Sequence, residues 1–257
     1  DFAERLGWQV RGAGGAKAGS RLLTERANLE AMLGLGFQQQ DPRPSIRAAI
    51  ALRDFIRFSG VGTPRLLEAA ADAAGNVGDL GLQAQTLLAL GAIARERSDL
   101  TTAQARYEEA RSLFEEVGSV LGQANCHLTL GDVALQRSYP DIAQARFEQA
   151  QPLFEEVGDV LGQANCIKGL GDVALQRSDL DSAQACYEQA QPLYEEIGMW
   201  LSIGETHQRL ARLVATEVER NSHIQAARAA WARISRSDLV QELDDEFGDE
   251  TTNQDGR

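Results

Sequence analysis

The sequence predicts an all-α solenoid built from antiparallel helix pairs. Three observations carry that expectation. First, Leu121–Val160 and Leu161–Trp200 are one 40-residue unit written twice, with 28 of the 40 positions identical. Self-similarity at a fixed period of this size marks a stack of units, each burying its apolar face against its neighbours. Second, four marks recur in phase across three units. Leu90-Gly91, Leu130-Gly131 and Leu170-Gly171 fall in the first helix of each pair, and Ala103, Ala143 and Ala183 open the second. Tyr107, Phe147 and Tyr187 follow four residues later, and Ala110, Ala150 and Ala190 three after that. Third, the composition is rich in Ala, Leu, Gln, Glu and Arg and only 6% aromatic, which favours helices over strands.

The elements follow in order. Beginning at Asp1 without a Met, the chain reads as an excerpt of a longer product. Residues 1–20 are expected to be a flexible N-terminal segment. The run GAGGAKAGS within it lacks the Gly-Lys-Ser/Thr ending of a phosphate loop, since Lys17 is followed by Ala18 and Gly19. Residues 21–78 form a diverged helical region. Arg21–Gln39 is one helix, Asp41-Pro42-Arg43-Pro44 breaks it, Ser45–Ser59 is a second, and Pro64 opens a third that ends near Gly75.

Residues 79–198 hold three regular units, 79–118, 119–158 and 159–198. Asp99 and Asp179 suit helix N-caps, and Pro140 suits a first helical turn, where its missing N–H costs nothing. Gly118, Gly158 and Gly198 suit left-handed helix ends. Pro152 and Pro192 lie deep in their second helices, so a kink or break is expected there, with Ser112 leaving the first unit straighter. Residues 199–247 are C-terminal capping helices. Met199–Glu219 is the first, Asn221-Ser222-His223 caps Ile224–Ile234, and Asp238–Phe247 is a short helix laid on that pair. Residues 248–257 are polar and expected to be disordered.

Totals exclude some functions. A formal charge of −13 argues against a nucleic-acid backbone as partner. No apolar run approaches the roughly 18 residues of a membrane span. Cys126 and Cys166 hold one repeat position, and equivalent helices stand about 10 Å apart, too far for an unstrained disulfide. Together with Cys186 they read as small buried residues of a reducing, cytoplasmic compartment.

His127, His207 and His223 lack metal-ligand spacing, and Glu155-Glu156 and Glu195-Glu196 lie on a polar helix face. Ser, His and Asp occur without a nucleophile motif. No catalytic residue, metal or cofactor is therefore expected, and the chain is not read as an enzyme. Trp8, Trp200 and Trp231 are read as caps of the apolar spine.

The recurring pattern of Leu-Gly, Ala twelve residues after the Gly, an aromatic four later and Ala three later resembles the tetratricopeptide repeat (TPR), in a 40-residue rather than a 34-residue form. The resemblance covers roughly Asp79–Ile234 and implies a right-handed superhelix whose first helices line a concave groove. With Gly131 at its family position, it places Asn125, Leu128, Asp132, Leu135 and Gln136 on the inner face. The next unit contributes Asn165, Lys168, Asp172, Leu175 and Gln176. Flanking units add Gln85, Leu88, Arg95 and Glu96, and Glu205, Gln208 and Arg212. Stacked amides can bracket a peptide backbone, and Asp132 with Asp172 would favour a basic ligand.

A looser resemblance, carried by Glu25, Asn28 and Leu29 within RLLTERANLEAML and by the repeats that follow, is to the C-terminal region of bacterial STAND proteins, signalling ATPases related to NB-ARC and NLR-like sensors. The implied role is a protein- or peptide-binding sensor or scaffold arm. The alternative is a structural or self-associating scaffold without a groove ligand.

Overall fold

The computed structural model describes residues 15–53 and 64–248. These residues contain twelve α-helices and no strand. They are α1 (Gly15–Gly36), α2 (Arg43–Ala51), α3 (Arg65–Asn76), α4 (Leu80–Glu96), α5 (Leu100–Glu116), α6 (Val120–Gln136), α7 (Pro140–Val157), α8 (Val160–Gln176), α9 (Leu180–Glu196), α10 (Trp200–Leu213), α11 (Glu217–Arg233) and α12 (Ser237–Phe247). The fold class is an all-α helical-repeat solenoid. The helices gather into two compact units, divided in the sequence between Arg137 and Ser138, inside the second regular repeat.

Within the three regular units, five helices start on a side-chain cap. Asp79, Ser119, Asp159, Asp99 and Asp179 accept a hydrogen bond from the backbone N–H three residues on, satisfying one of the open donors at a helix start. Pro140 stands at the start of α7. Each pair ends on a left-handed glycine, with φ of 67°, 68° and 67° at Gly118, Gly158 and Gly198. The turn inside each pair uses the same conformation at Ser98, Ser138 and Ser178, with φ of 60°, 60° and 61°, which the sequence did not announce because serine rarely adopts it.

The repeat marks are the core. Ala103, Ala143 and Ala183, the aromatics Tyr107, Phe147 and Tyr187, and Ala110, Ala150 and Ala190 are all fully buried. In the first unit the Tyr107 ring lies against Gly91; in the second the Tyr187 ring lies against Gly171 and Phe147 against Gly169. Each glycine removes the side chain that would hold the helices apart. Cys126 and Cys166 are buried and no disulfide forms. Burial pushes the Cys126 thiol up to about 12, so it is inert at neutral pH. Trp231 is buried against Gly204 and donates to the Leu201 carbonyl at 3.2 Å, while Trp200 is half-buried beneath the Arg233 guanidinium.

Four expectations require correction. α1 begins at Gly15, so residues 15–20 are helical rather than loop; Ala16, Lys17 and Ala18 are good helix formers and extend it backwards. Residues 1–14 and 249–257, where the rest of the flexible segment and the disordered tail were expected, lie outside the described residues. The second expected helix starts at Arg43, directly after Pro42, and ends at Ala51; residues 54–63 are not described. Of the kink or break expected at Pro152 and Pro192, the break does not occur, because both helices continue to Val157 and Glu196. Both prolines are exposed, as are Glu148 and Glu188, so each freed carbonyl faces water, while Phe154 and Tyr194 beyond remain buried. Ser112, at the equivalent place, donates to the Glu108 carbonyl at 3.2 Å. Finally, α10 stops at Leu213 and α11 starts after Thr216. The Thr216 hydroxyl accepts from Glu219 N at 3.2 Å and bonds the Glu219 carboxylate at 2.7 Å. This threonine N-cap starts the helix seven residues earlier than Asn221–His223 would have done.

The continuous helices give a direct test. Pro192→Ala restores a backbone donor in the middle of α9, and the variant is expected to gain about 1 to 3 kcal/mol in thermal melts. A lower melting temperature would show that the proline is accommodated by a bend the packing requires.

Candidate functional site

The residues assigned to the repeat's inner face fall in two groups, one in each unit. In the first, Gln85 and Gln136 are exposed, Leu128 is half-buried and Leu135 is buried. Asn125 Nδ2 donates to the Leu121 carbonyl at 2.9 Å, so its amide is turned back onto its own helix. Asp132 forms an ion pair with Arg95. Burial works against the Arg95 charge, but Asp132 outweighs it and the guanidinium titrates above its ordinary value. An open cavity of about 490 Å³ lies beside this pair, lined by Arg95, Glu96, Ser98, Leu100 and Gln136.

The second group is a connected network. Asp172 on α8 accepts from Lys168 Nζ at 3.1 Å, from Arg209 Nε at 3.0 Å and from the Tyr187 hydroxyl at 2.7 Å. Burial alone would raise the Asp172 carboxyl; Lys168, Arg209 and the hydroxyl outweigh it and hold the group below the usual carboxylate range. Burial and the neighbouring Asp172 together push the Tyr187 phenol well above its ordinary value, so it remains a donor. Asn165 Oδ1 accepts from the buried Tyr194 hydroxyl at 2.8 Å. Arg209 Nη1 also reaches the Glu205 carbonyl at 3.4 Å. Gln208 and Arg212 both contact Glu246 of α12. Gln176 and Leu175 are exposed at the end of α8.

This geometry changes the electrostatic reading. Asp132 and Asp172 are each engaged by the protein's own cations, and Asp172 is outnumbered two to one, so neither carboxylate is held open for a basic ligand. Arg209 was missed in the sequence. It occupies the repeat position of Gly169 and Thr129, so the internal register gave no sign of a charge there.

The structure also joins two histidines that the sequence separates by 16 residues. His207 Nδ1 and His223 Nδ1 are 2.9 Å apart, with the rings tilted by 41°, and the Gln191 amide nitrogen lies 2.8 Å from His207 Nδ1. Burial lowers the His207 imidazole to about 4, helped by repulsion from His223. Burial also lowers His223, against the pull of Glu188 and Glu219. The neutral pair therefore contributes stability that is complete above about pH 6.5, where an unfolded histidine is also neutral, and is lost as pH falls towards 4. The melting temperature of the wild type should drop across that window, and His207→Gln with His223→Gln should flatten the slope. Parallel profiles would exclude the pair as its source. Among the described residues no group of three or more His, Cys, Asp or Glu side chains is placed to hold a metal ion, and no helix is long and apolar enough to cross a membrane.

The family model described as tetratricopeptide repeat matches residues 82–156 and 128–196. No curated protein sequence matches the chain. Among solved structures, BtubC (BKLC) from P. vanneervenii is similar at 18% identity and a TM-score of 0.59, over 88% of this chain and 90% of that one. A Signal Transduction ATPase with Numerous Domains (STAND) protein with a tetratricopeptide repeat sensor, PH0952 from Pyrococcus horikoshii, is similar at 12% identity and a TM-score of 0.62, over 87% of this chain. The chain spans about a third (34%) of that protein's length. At these identities the likeness is one of fold.

Proposed function

Residues 82–196 are tetratricopeptide repeats, and from that premise we propose that the chain is a protein- or peptide-binding module serving as the sensor or scaffold arm of a STAND-type signalling protein. Tetratricopeptide repeats are in general non-catalytic modules of protein–protein interaction, and the resemblance to a STAND sensor at the level of fold supports the finer role. The observation that carries the reading is the surface of the first helices. α6 in the first unit and α8 in the second bury their Ala and Cys positions with Val133 and Val173, hold Asn125, Asn165, Asp132 and Asp172 half-buried in contacts of the protein's own, and leave Gln136 and Gln176 exposed. Within each unit, polar side chains along one helix face suit an extended backbone or a helix more than a compact small molecule. The chain is read as acting in the cytoplasm with a protein partner, without nucleic acid, membrane or cofactor.

The test variant must spare the folding network. Asn165 is unsuitable, because its loss strands the buried Tyr194 hydroxyl. Gln136→Ala with Lys168→Ala leaves Asp172 its contacts to Arg209 and Tyr187. This variant is expected to melt within about 1 kcal/mol of wild type and to lose a partner that the wild type retains in a pull-down from source cells. Equal recovery would place binding elsewhere. A second reading, self-association, is favoured by exposed Tyr139, Ile142, Leu175 and Leu180 in the second unit. Mass that rises with concentration in light scattering would select it.

A further inference from the structure

Gln208 and Arg212, which the repeat register assigns to the ligand face, are occupied by the chain itself. Glu246 accepts from Arg212 Nε at 2.5 Å and Nη2 at 2.7 Å, and from Gln208 Nε2 at 2.7 Å. A planar guanidinium with a flanking amide is a carboxylate-recognition fork. Electrostatics agree: the Arg212 contact holds the Glu246 carboxyl below its ordinary range.

The rest of α12 is seated by one fully buried side chain and its partly buried neighbours. Leu243 is fully buried, and Leu239, Val240 and Phe247 pack partly buried beside Ala211, Ile224, Ala227 and Trp231. One more ion pair joins Asp244 to Arg228. The helix has only 11 residues and no side-chain N-cap, so it is too short to persist without this seat. Its sequence, SDLVQELDDEF, combines an apolar ridge with five acids. Arg212 and Arg228 are the cations that meet these acids, pairing with Glu246 and Asp244 in a chain whose net charge is −13.

We propose that α12 is a displaceable strap on an acceptor for acidic amphipathic helices. A partner of that chemistry would place a carboxylate on Gln208 and Arg212 and an apolar ridge on Ala211, Ala227 and Trp231, taking the place of α12. This reading deepens the proposed binding function and rests on it. The occupant's chemistry is that of the segment already seated there. Release of α12 is then coupled to partner binding, because both compete for one fork.

The probe is a fluorescein-labelled peptide of sequence SDLVQELDDEF, titrated against the full chain by fluorescence anisotropy. Against wild type it should bind weakly, since the tethered α12 competes at an effective concentration on the order of millimolar. Glu246→Gln with Asp244→Asn loosens the strap and leaves the acceptor intact, so affinity should rise about tenfold or more. Adding Arg212→Glu should abolish the gain, and a peptide with Arg at the position of Glu246 should restore it. If the double variant does not melt cooperatively, Glu246→Gln alone replaces it. Equal affinity for wild type and strap variant, no binding to either, or a gain that survives Arg212→Glu would overturn the proposal. A partner that depends on Gln136 and Lys168 yet binds wild type and Glu246→Gln equally would overturn the strap and leave the binding function standing. Peptide affinity that behaves as expected, with no partner sensitive to Gln136 and Lys168, would leave the strap and remove the wider surface.

Discussion

Gly162→Ala is expected to cost about 3 kcal/mol, the upper end of overpacking penalties, although alanine is the better helix former. A Cβ at this position would lie 2.2 Å from Cδ1 and 2.4 Å from Cε1 of Phe154. That ring is fully buried and cannot swing into solvent. The first unit repeats the arrangement, with Gly122 at 2.3 Å from the Phe114 ring. Gly81 supplies the opposite case: it also lies inside a helix, but the nearest atom to an added Cβ is Asp79 Oδ1 at 3.7 Å. Gly81→Ala should therefore stabilise by up to about 1 kcal/mol. Thermal melts of the two variants should move in opposite directions. Phe154→Leu in the Gly162→Ala background should recover part of the loss, since the two positions share one space and their effects cannot be additive. A Gly162→Ala chain as stable as wild type would mean that the ring has room the packing does not show.

The second large effect is expected at Asp172. Its removal by Asp172→Asn leaves Lys168 and Arg209, 22% and 26% exposed, repelling each other without their shared counter-charge. Breaking a fully buried pair costs 3–5 kcal/mol; partial exposure reduces this to about 2 to 3 kcal/mol. Tyr187→Phe, which removes only the hydroxyl bond, should cost about 1 kcal/mol. Asp141→Asn should cost well under 1 kcal/mol, because Asp141 is 92% exposed although it pairs with Arg177 at 2.5 Å. The pH dependence follows from the lowered Asp172 carboxyl. Its contribution is present above the ordinary carboxylate range and is lost as pH falls through the depressed folded value. Denaturant titrations below about pH 4 should converge for wild type and Asp172→Asn as that contribution disappears. Curves that stay separated to acid pH would mean that the carboxylate acts through shape and not charge.

The caps and the small-residue positions were legible because they act locally. Asp99 and Asp179 bond a backbone N–H three residues away, and Gly118, Gly158 and Gly198 need only their own φ. The repeat period then multiplied each signal by three. The prolines do not end their helices; the local rule says nothing about which side of a helix faces water. Pro152 and Pro192 sit on the exposed side, where the carbonyl each one frees is open to water.

What the sequence determined by itself is the helical-repeat class, the phase of the repeats and the small residues that let the helices meet. These follow from periodicity and backbone chemistry, which a chain carries wherever it folds. Only the tertiary structure decided the chemistry of the candidate surface. Asp172 meets Arg209 across 37 residues, His207 meets His223 across a helix pair, and Glu246 reaches Arg212 from a helix outside the repeats. The reason is physical: charge depends on distance in space. Identical residues at identical repeat positions, such as Asp132 and Asp172, therefore acquire different partners from the non-identical residues stacked beside them.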